Sequence, residues 1–410
     1  MLNQSVRPIL VRLRSMKRVL FHLVLFTASS LFAAETVWSG PDYEIRVYGW
    51  LQSQQGTCGL LANEEGDSLS GLYTNALAAL CFLHHGDVER AERIFQCMRL
   101  HSAECLQAPG GFYQFWSAAN GEPHRDTDRW IGDNAWFLIA LNYYKAKTGK
   151  TDYDDMREGI ARWLISLQDK DGGVWGGYVA DGHIEYKSTE GNLDCYAALV
   201  EYPKERAKIK RWLIHDMWIP KERRLRMGST VDESALDDLT WGVAALGPRY
   251  HFTLKYAEEA FLQTVHFDQR QHEVTGFSDF LFKNHVWLEG TGQVAAAYQY
   301  VGNKEKTAHY LAELERSMIP SQAFEGTYGM PCFTNNPRWS TGASRIFVPS
   351  QAWYLFAKWG FNPMDASLYP SAAKLAETQA QAVCGSGNGS SIASGSTLCS
   401  AVPAIEGRSR

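Results

Sequence analysis

Four times in this chain an apolar stretch of helical period opens on a carboxylate, and the four recur at nearly even intervals. They are Gly132-Asp133-Asn134-Ala135-Trp136, Thr189-Glu190-Gly191-Asn192-Leu193-Asp194, Leu236-Asp237-Asp238-Leu239-Thr240-Trp241 and Trp287-Leu288-Glu289-Gly290-Thr291-Gly292-Gln293. The lead acids Asp133, Glu190, Asp238 and Glu289 stand 57, 48 and 51 residues apart. That interval is too long for one helix and suits a helical hairpin with its loops, so the chain reads as stacked hairpins.

The period between these points supports the reading. Tyr73 to Leu83 and Val88 to Leu100 form one expected pair of antiparallel helices, joined by the turn His84-His85-Gly86-Asp87. Further expected pairs are Asn134 to Thr148 with Tyr153 to Gln168, and Leu193 to Glu201 with Glu205 to Met217. Leu239 to Leu246 pairs with Leu254 to Val265, and Gln293 to Val301 with Lys304 to Met318. Ser350 to Trp359 stands alone near the end, and Tyr43 to Gln54 is its expected partner across the ends of the chain. The first helix of each pair is small and apolar while the second carries charge. That division into inner and outer helices predicts an all-α fold, an (α/α)6 toroid or barrel of helical hairpins. No run of strand period is evident.

The first 34 residues have the layout of a secretory signal peptide: Met16-Lys17-Arg18, the apolar run Val19 to Phe26, then small residues to Ala33-Ala34. Met16 is a candidate for the true start. The apolar run is shorter than the roughly 20 residues that span a bilayer. The expected organisation is therefore a leader at 1–34, a barrel at 35–364 and a disordered Gly/Ser/Ala-rich tail at 365–410, in a protein that is periplasmic or secreted. The leader holds five basic residues and no acid, so without it the formal charge falls from −5 to −10. That balance argues against nucleic acid as a partner. Eight cysteines suit an oxidising compartment. Cys81 with Cys97, and Cys384 with Cys399, are candidate pairs, with buried free thiols an equal account of the first. No Cys/His spacing suggests a zinc site, no cofactor is indicated, and a monomer is expected.

Glycoside hydrolysis needs two carboxyl groups, one to protonate the leaving oxygen and one to activate water or attack the sugar. Asp133, Glu190, Asp194, Asp237, Asp238 and Glu289 all fall at one expected end of the ring. An acid at a helix start ordinarily serves the helix as a cap or dipole partner; four in register carry more, because Ser or Thr would cap as well. Asp133 and Glu190 rank first as the catalytic pair, the former flanked by Trp130 and Trp136, the latter followed by a glycine that permits close approach. Asp194, Asp238 and Glu289 are expected to bind substrate, with Trp116, Trp130, Trp136, Trp175, Tyr178, Trp241, Trp287 and Gln351. Aromatic residues make up 13% of the chain, and their faces stack on sugars as well as filling cores. His124, His183 and His285 in loops before inner helices, and Arg125, Arg129 and Arg345, are secondary candidates.

The acid-opened inner helices, the loops Gly110-Gly111-Phe112-Tyr113-Gln114-Phe115-Trp116 and Asp171-Gly172-Gly173-Val174-Trp175-Gly176-Gly177-Tyr178, and the closing Gln351-Ala352-Trp353 with Gly360-Phe361-Asn362-Pro363 resemble the six-hairpin, (α/α)6-barrel glycosidase superfamily over roughly Tyr43 to Met364. Gln168 to Trp175 is also similar to loops of terpenoid-cyclase-like toroids, but no Asp-rich initiating motif accompanies it. The resemblance implies an exported hydrolase of an oligo- or polysaccharide, inverting in mechanism. It leaves open a sugar 2-epimerase, which on this barrel moves its proton with two histidines, a polysaccharide lyase, and a non-catalytic carbohydrate-binding relative.

Overall fold

Alternate helices of this chain bury almost every side chain, and the ones between bury a single stripe. The computed structural model describes residues 42–180, 182–280, 284–335 and 344–369. The leader at 1–34, most of the tail, Cys384 and Cys399 lie outside them. Among the described residues are twelve α-helices of nine residues or more: α1 (Tyr43–Gln54), α2 (Leu72–His85), α3 (Val88–Arg99), α4 (Ile131–Thr148), α5 (Asp154–Ser166), α6 (Thr189–Ala198), α7 (Pro203–Trp212), α8 (Leu236–Leu246), α9 (Thr253–Phe261), α10 (Leu288–Tyr300), α11 (Lys304–Arg316) and α12 (Val348–Trp359). In α2 every residue from Thr74 to Leu83 is buried, whereas α3 buries only Ala91, Ile94, Phe95, Cys97 and Met98. A helix apolar all round must be enclosed by others; one with a single stripe needs one neighbour.

The packing follows that rule. The even-numbered helices touch in sequence, α2 on α4, α4 on α6, α6 on α8, α8 on α10, α10 on α12, and α12 returns to α2. Each also packs against an outer helix: α3, α5, α7, α9 and α11 follow their partners in the chain, while α12 takes α1 from the other end of the sequence. The contacts therefore run in a closed circuit of six inner helices with six outside.

The inner helices all begin one to five residues earlier than expected, whereas the starts of α1, α3 and α11 coincide with expectation and α5 begins one residue later. α4 begins at Ile131 and α10 at Leu288, taking in Gly132, Gly290 and Gly292 as helical residues. The glycines mark close packing: a Cβ on Gly290 would lie 2.2 Å from Cε3 of Trp287. The expected absence of strands is corrected. Leu262–Phe267 pairs antiparallel with His272–Phe277 over six residues, so the helix expected to Val265 ends at Phe261. Cross-strand pairs of β-branched residues, Thr264 with Thr275 and Val265 with Val274, favour that hairpin over a longer helix. The helix expected to Met217 ends at Trp212, and Leu213–Met217 forms a π-helical turn.

Short strands sit where the loops enter inner helices. Leu69–Gly71 pairs with Phe115–Ser117, and Arg129–Trp130 pairs with Gly177–Val179, which pairs in turn with Gly182–His183. Packed structure continues past residue 364 to Tyr369, whose hydroxyl donates to the Pro363 carbonyl and whose ring meets Tyr143. Cys81 and Cys97 are free thiols, and the neighbour of the Cys97 thiol is Cys58.

Candidate active site

The starts of the inner helices share one end of the ring, and their acids line a cavity there of about 240 Å³. Asp133 is the third residue of α4, Glu190 the second of α6, Asp237 and Asp238 the second and third of α8, and Glu289 the second of α10. Asp194 is one turn further along α6. Tyr73, Gln114, Trp130, Gly132, Trp136, Trp241, Trp287 and Gln293 complete the lining with Asp133, Glu190, Asp194, Asp237 and Glu289.

The floor is aromatic. Trp136 and Trp241, from the two Asp-x-x-Trp segments, meet with ring centres 5.4 Å apart, and Trp353 of α12 stacks on Trp241 at 6.1 Å. Tyr73 completes the cluster, 5.6 Å from Trp136. Four inner helices thus meet through these side chains beside the acids. Trp130 and Trp287 are half-buried and also line the cavity.

Helix dipoles favour anions at these positions, but withdrawal from water opposes them. Burial pushes the Asp133 carboxyl up to about 7, against hydrogen bonds that favour its charged form from the Tyr73 N–H at 3.4 Å and the Gln114 amide at 3.3 Å. Burial likewise raises Asp237 to about 6 and Glu289 to about 8. Glu190, Asp194 and Asp238 are held well above the carboxylate range by burial first and by neighbouring carboxylates second. Around Glu190 those neighbours are Asp237, Asp238, Asp133 and Glu289, so the acids form one interacting group. Asp238 is spent partly on its own helix, accepting from the Ala235 N–H at 2.9 Å.

Several lining atoms lack a hydrogen bond of good geometry. They are both oxygens of Asp194, whose near donor is the Trp136 indole, the Gln293 amide nitrogen beside Glu289, and the Trp241 indole nitrogen. Buried polar atoms are ordinarily satisfied, so this group of acceptors and donors around one cavity is what a polyhydroxylated ligand or ordered water would complete.

Of the residues expected at the site, Asp133, Glu190, Asp194, Glu289, Trp130, Trp136, Trp241 and Trp287 line the cavity, with Asp238 just behind it. Four others lie outside that lining. Trp116 is fully buried in the wall between Phe112 and His101, with its indole N–H on the Tyr113 carbonyl. Trp175 lies under the Lys187 ammonium at 4.1 Å, and Tyr178 packs on His183 in the strand beside Arg129; neither is in the lining. Gln351 is fully buried, accepting from the Met330 N–H and donating to the Met330 and Phe347 carbonyls.

That last role recurs, and it explains how the helix starts are aimed. Asn134 accepts from the Phe112 N–H at 2.8 Å and donates to the Phe112 and Trp130 carbonyls; Asn192 does the same with Val174 and Ser188. Asn75 accepts from the Leu61 N–H and donates to the Gly71 carbonyl. In all four helices the amide is the fourth helical residue, and it ties the cap carbonyl to one residue of the incoming loop. The sequence signal was present as amides at this fixed offset, of which Asn134 stands directly beside a lead acid. Tyr73 and Gln114 were missed, since neither carries a charge; Asp237 was seen only as one of the acids.

The secondary candidates lie elsewhere. His124 and His183 are exposed, and His285 is buried against Asp279 and Asn284. Arg125 pairs with Glu104, and Arg129 lies on the Tyr113 ring with a hydrogen bond to its hydroxyl. Arg345 lines a separate cavity with Glu65 and Gln322.

No protein-family model matches the chain, and no curated protein does. Solved structures do. A wild-type glycosidase superposes with a TM-score of 0.58 at 14% identity, covering 80% of this chain and 97% of its own. An α-amylase from Clostridium perfringens gives 0.57 at 12%, covering 78% and 97%. A sugar epimerase from a ruminal bacterium gives 0.55 at 12%, covering 78% and 96%. At these identities the likeness is one of fold, and it is the fold of glycosidases and sugar epimerases.

Proposed function

We propose that this chain is an exported (α/α)6-barrel glycoside hydrolase that acts, as a monomer, on an oligo- or polysaccharide. The observation that carries the reading is the set of interacting buried carboxyls at the inner-helix starts, in a cavity whose unpartnered donors and acceptors match the hydroxyls of a sugar. The carbohydrate-processing neighbours in fold support it; fold alone would not.

Glu190 is the proposed general acid. Burial first, and then the neighbouring acids Asp237, Asp238, Asp133 and Glu289, raise its pKa, which favours the protonated form that a proton donor needs. Asp133 is the proposed base, since the Tyr73 N–H and the Gln114 amide both favour its ionised form. As Glu190 passes its proton to the leaving glycosidic oxygen, the carbon–oxygen bond breaks. A water oxygen then bonds the anomeric carbon from the other face while its proton goes to Asp133. Solvent exchange restores both carboxyls, and the product anomer is inverted.

The alternatives ask for other groups. An epimerase of the two-histidine kind needs histidines facing the pocket, and among the described residues none lines it. A purely binding relative would hold its acids on Lys or Arg, whereas among the described residues no Lys or Arg lines the cavity. Proton NMR of the anomeric signals, during incubation with a panel of oligosaccharides, tests the reading. New reducing ends that first appear with inverted configuration are expected. Retained configuration would remove the water-activating role of Asp133, and epimerised substrate without cleavage would replace the hydrolase reading.

A further inference from the structure

We infer that the saccharide bound in this pocket carries a free, protonated amino group. The word saccharide rests on the hydrolase reading above; the amine rests on the pocket's own charge.

Hydrolysis employs two carboxyls, and five line this cavity. Asp194, Asp237 and Glu289 are surplus to the reaction. Asp237 has the Asp238 N–H and Glu289 has the Tyr73 hydroxyl as a donor. Neither oxygen of Asp194 has a donor in good hydrogen-bond geometry, the Trp136 indole N–H lying near but poorly placed, although the side chain is fully buried and lines the cavity. Its Oδ2 is left uncovered by Gly132, where a Cβ would come within 3.0 Å of it. Burial and then the neighbouring carboxyls oppose ionisation of Asp194, and an adjacent cation reverses that balance. Among the described lining residues none is Lys, Arg or His, and a cationic occupant supplies the charge that favours an ionised Asp194.

The chemistry of the walls selects the kind of cation. The acids are spread around the ring, and among the described residues no three converge as a metal ion would require. Between them stand the indoles of Trp130, Trp136, Trp241 and Trp287, whose faces attract an ammonium as well as an apolar sugar face. An ammonium fixed on a sugar ring offers three donors to Asp194 and its neighbours while the hydroxyls meet the Trp136 and Trp241 N–H groups. An N-acetylated sugar lacks the charge, and a uronate or sulfated sugar has the wrong sign.

Calorimetry of the full-length protein with D-glucosamine, D-glucose and N-acetyl-D-glucosamine, and with glucosamine oligomers, tests this. Titrations in two buffers of different ionisation enthalpy also count the protons exchanged. Glucosamine is expected to bind at least tenfold tighter than the two uncharged sugars and to release protons near neutrality, as the raised carboxyls ionise around the ammonium. Asp194→Asn is expected to erase most of that preference. If the variant does not fold, proton release by the wild type decides alone. Equal or tighter binding of glucose, or cleavage of neutral oligosaccharides without preference, overturns the amine and leaves the hydrolase standing. No binding and no cleavage of any sugar overturns both.

Discussion

The Tyr73 hydroxyl donates to Glu289 Oε1 at 2.9 Å, joining the second residue of α2 to the second residue of α10 across the mouth of the ring. The same hydroxyl accepts from the Trp353 indole N–H at 2.9 Å. The two inner helices that begin without an acid, α2 and α12, thus contribute to the acidic site through this chain of donors.

Removing that hydroxyl has a defined electrostatic result. The Tyr73 O–H lowers a Glu289 pKa that burial raises to about 8. Tyr73→Phe is expected to move Glu289 further up and to lower stability by about 1–2 kcal/mol, since a buried acceptor and the Trp353 donor both lose a partner. Carboxyl-carbon NMR titration of the two proteins checks it; an unchanged Glu289 midpoint contradicts the donor role.

Stability should fall as the solution becomes alkaline. The carboxyls of Asp133, Asp237 and Glu289 titrate near 4 when unfolded and at about 7, 6 and 8 in the fold. The folded state therefore holds more protons across that window, and the stabilisation present at acid pH is lost as pH rises through the folded values. Urea midpoints are expected to drop between pH 5 and pH 9, and less so in Glu289→Gln. A midpoint that rises over this range would count against buried, unpaired acids.

The loop-anchoring amides are expected to be structural. Asn134→Ala leaves the buried N–H and carbonyl of Phe112 without partners, at a cost of roughly 2–4 kcal/mol. Chemical denaturation measures it, and a loss under about 0.5 kcal/mol would mean that the loop is held by other contacts. Trp175→Ala, outside the cavity lining, should leave sugar binding within about twofold, whereas Trp130→Ala should weaken it about tenfold through lost stacking.

The hairpin rhythm was readable because inner and outer helices differ in composition, and burial follows composition directly. Asp133, Glu190 and Glu289 were readable because charge at the start of an apolar helix is conspicuous. Tyr73 and Gln114 were not: their roles arise from contacts with Glu289, 216 residues away, and with Asp133, and an uncharged donor leaves no local mark. Trp116 and Gln351 fall outside the cavity lining for the converse reason. Aromatic and amide residues serve cores and loops as readily as ligands, and only the packing shows which. The Leu262–Phe267 strand escaped because a short alternating run directly after a helix reads as its continuation.

The most direct test of the central claim compares wild type with Asp133→Asn and Glu190→Gln, measuring new reducing ends on whichever oligosaccharide the wild type cleaves. Loss of a positioned acid or base ordinarily costs about 10²–10⁴ in rate. Each variant is expected to fall by about a thousandfold while still folding and binding the sugar. Full turnover in both variants would contradict the assignment of this acidic mouth as the seat of the chemistry.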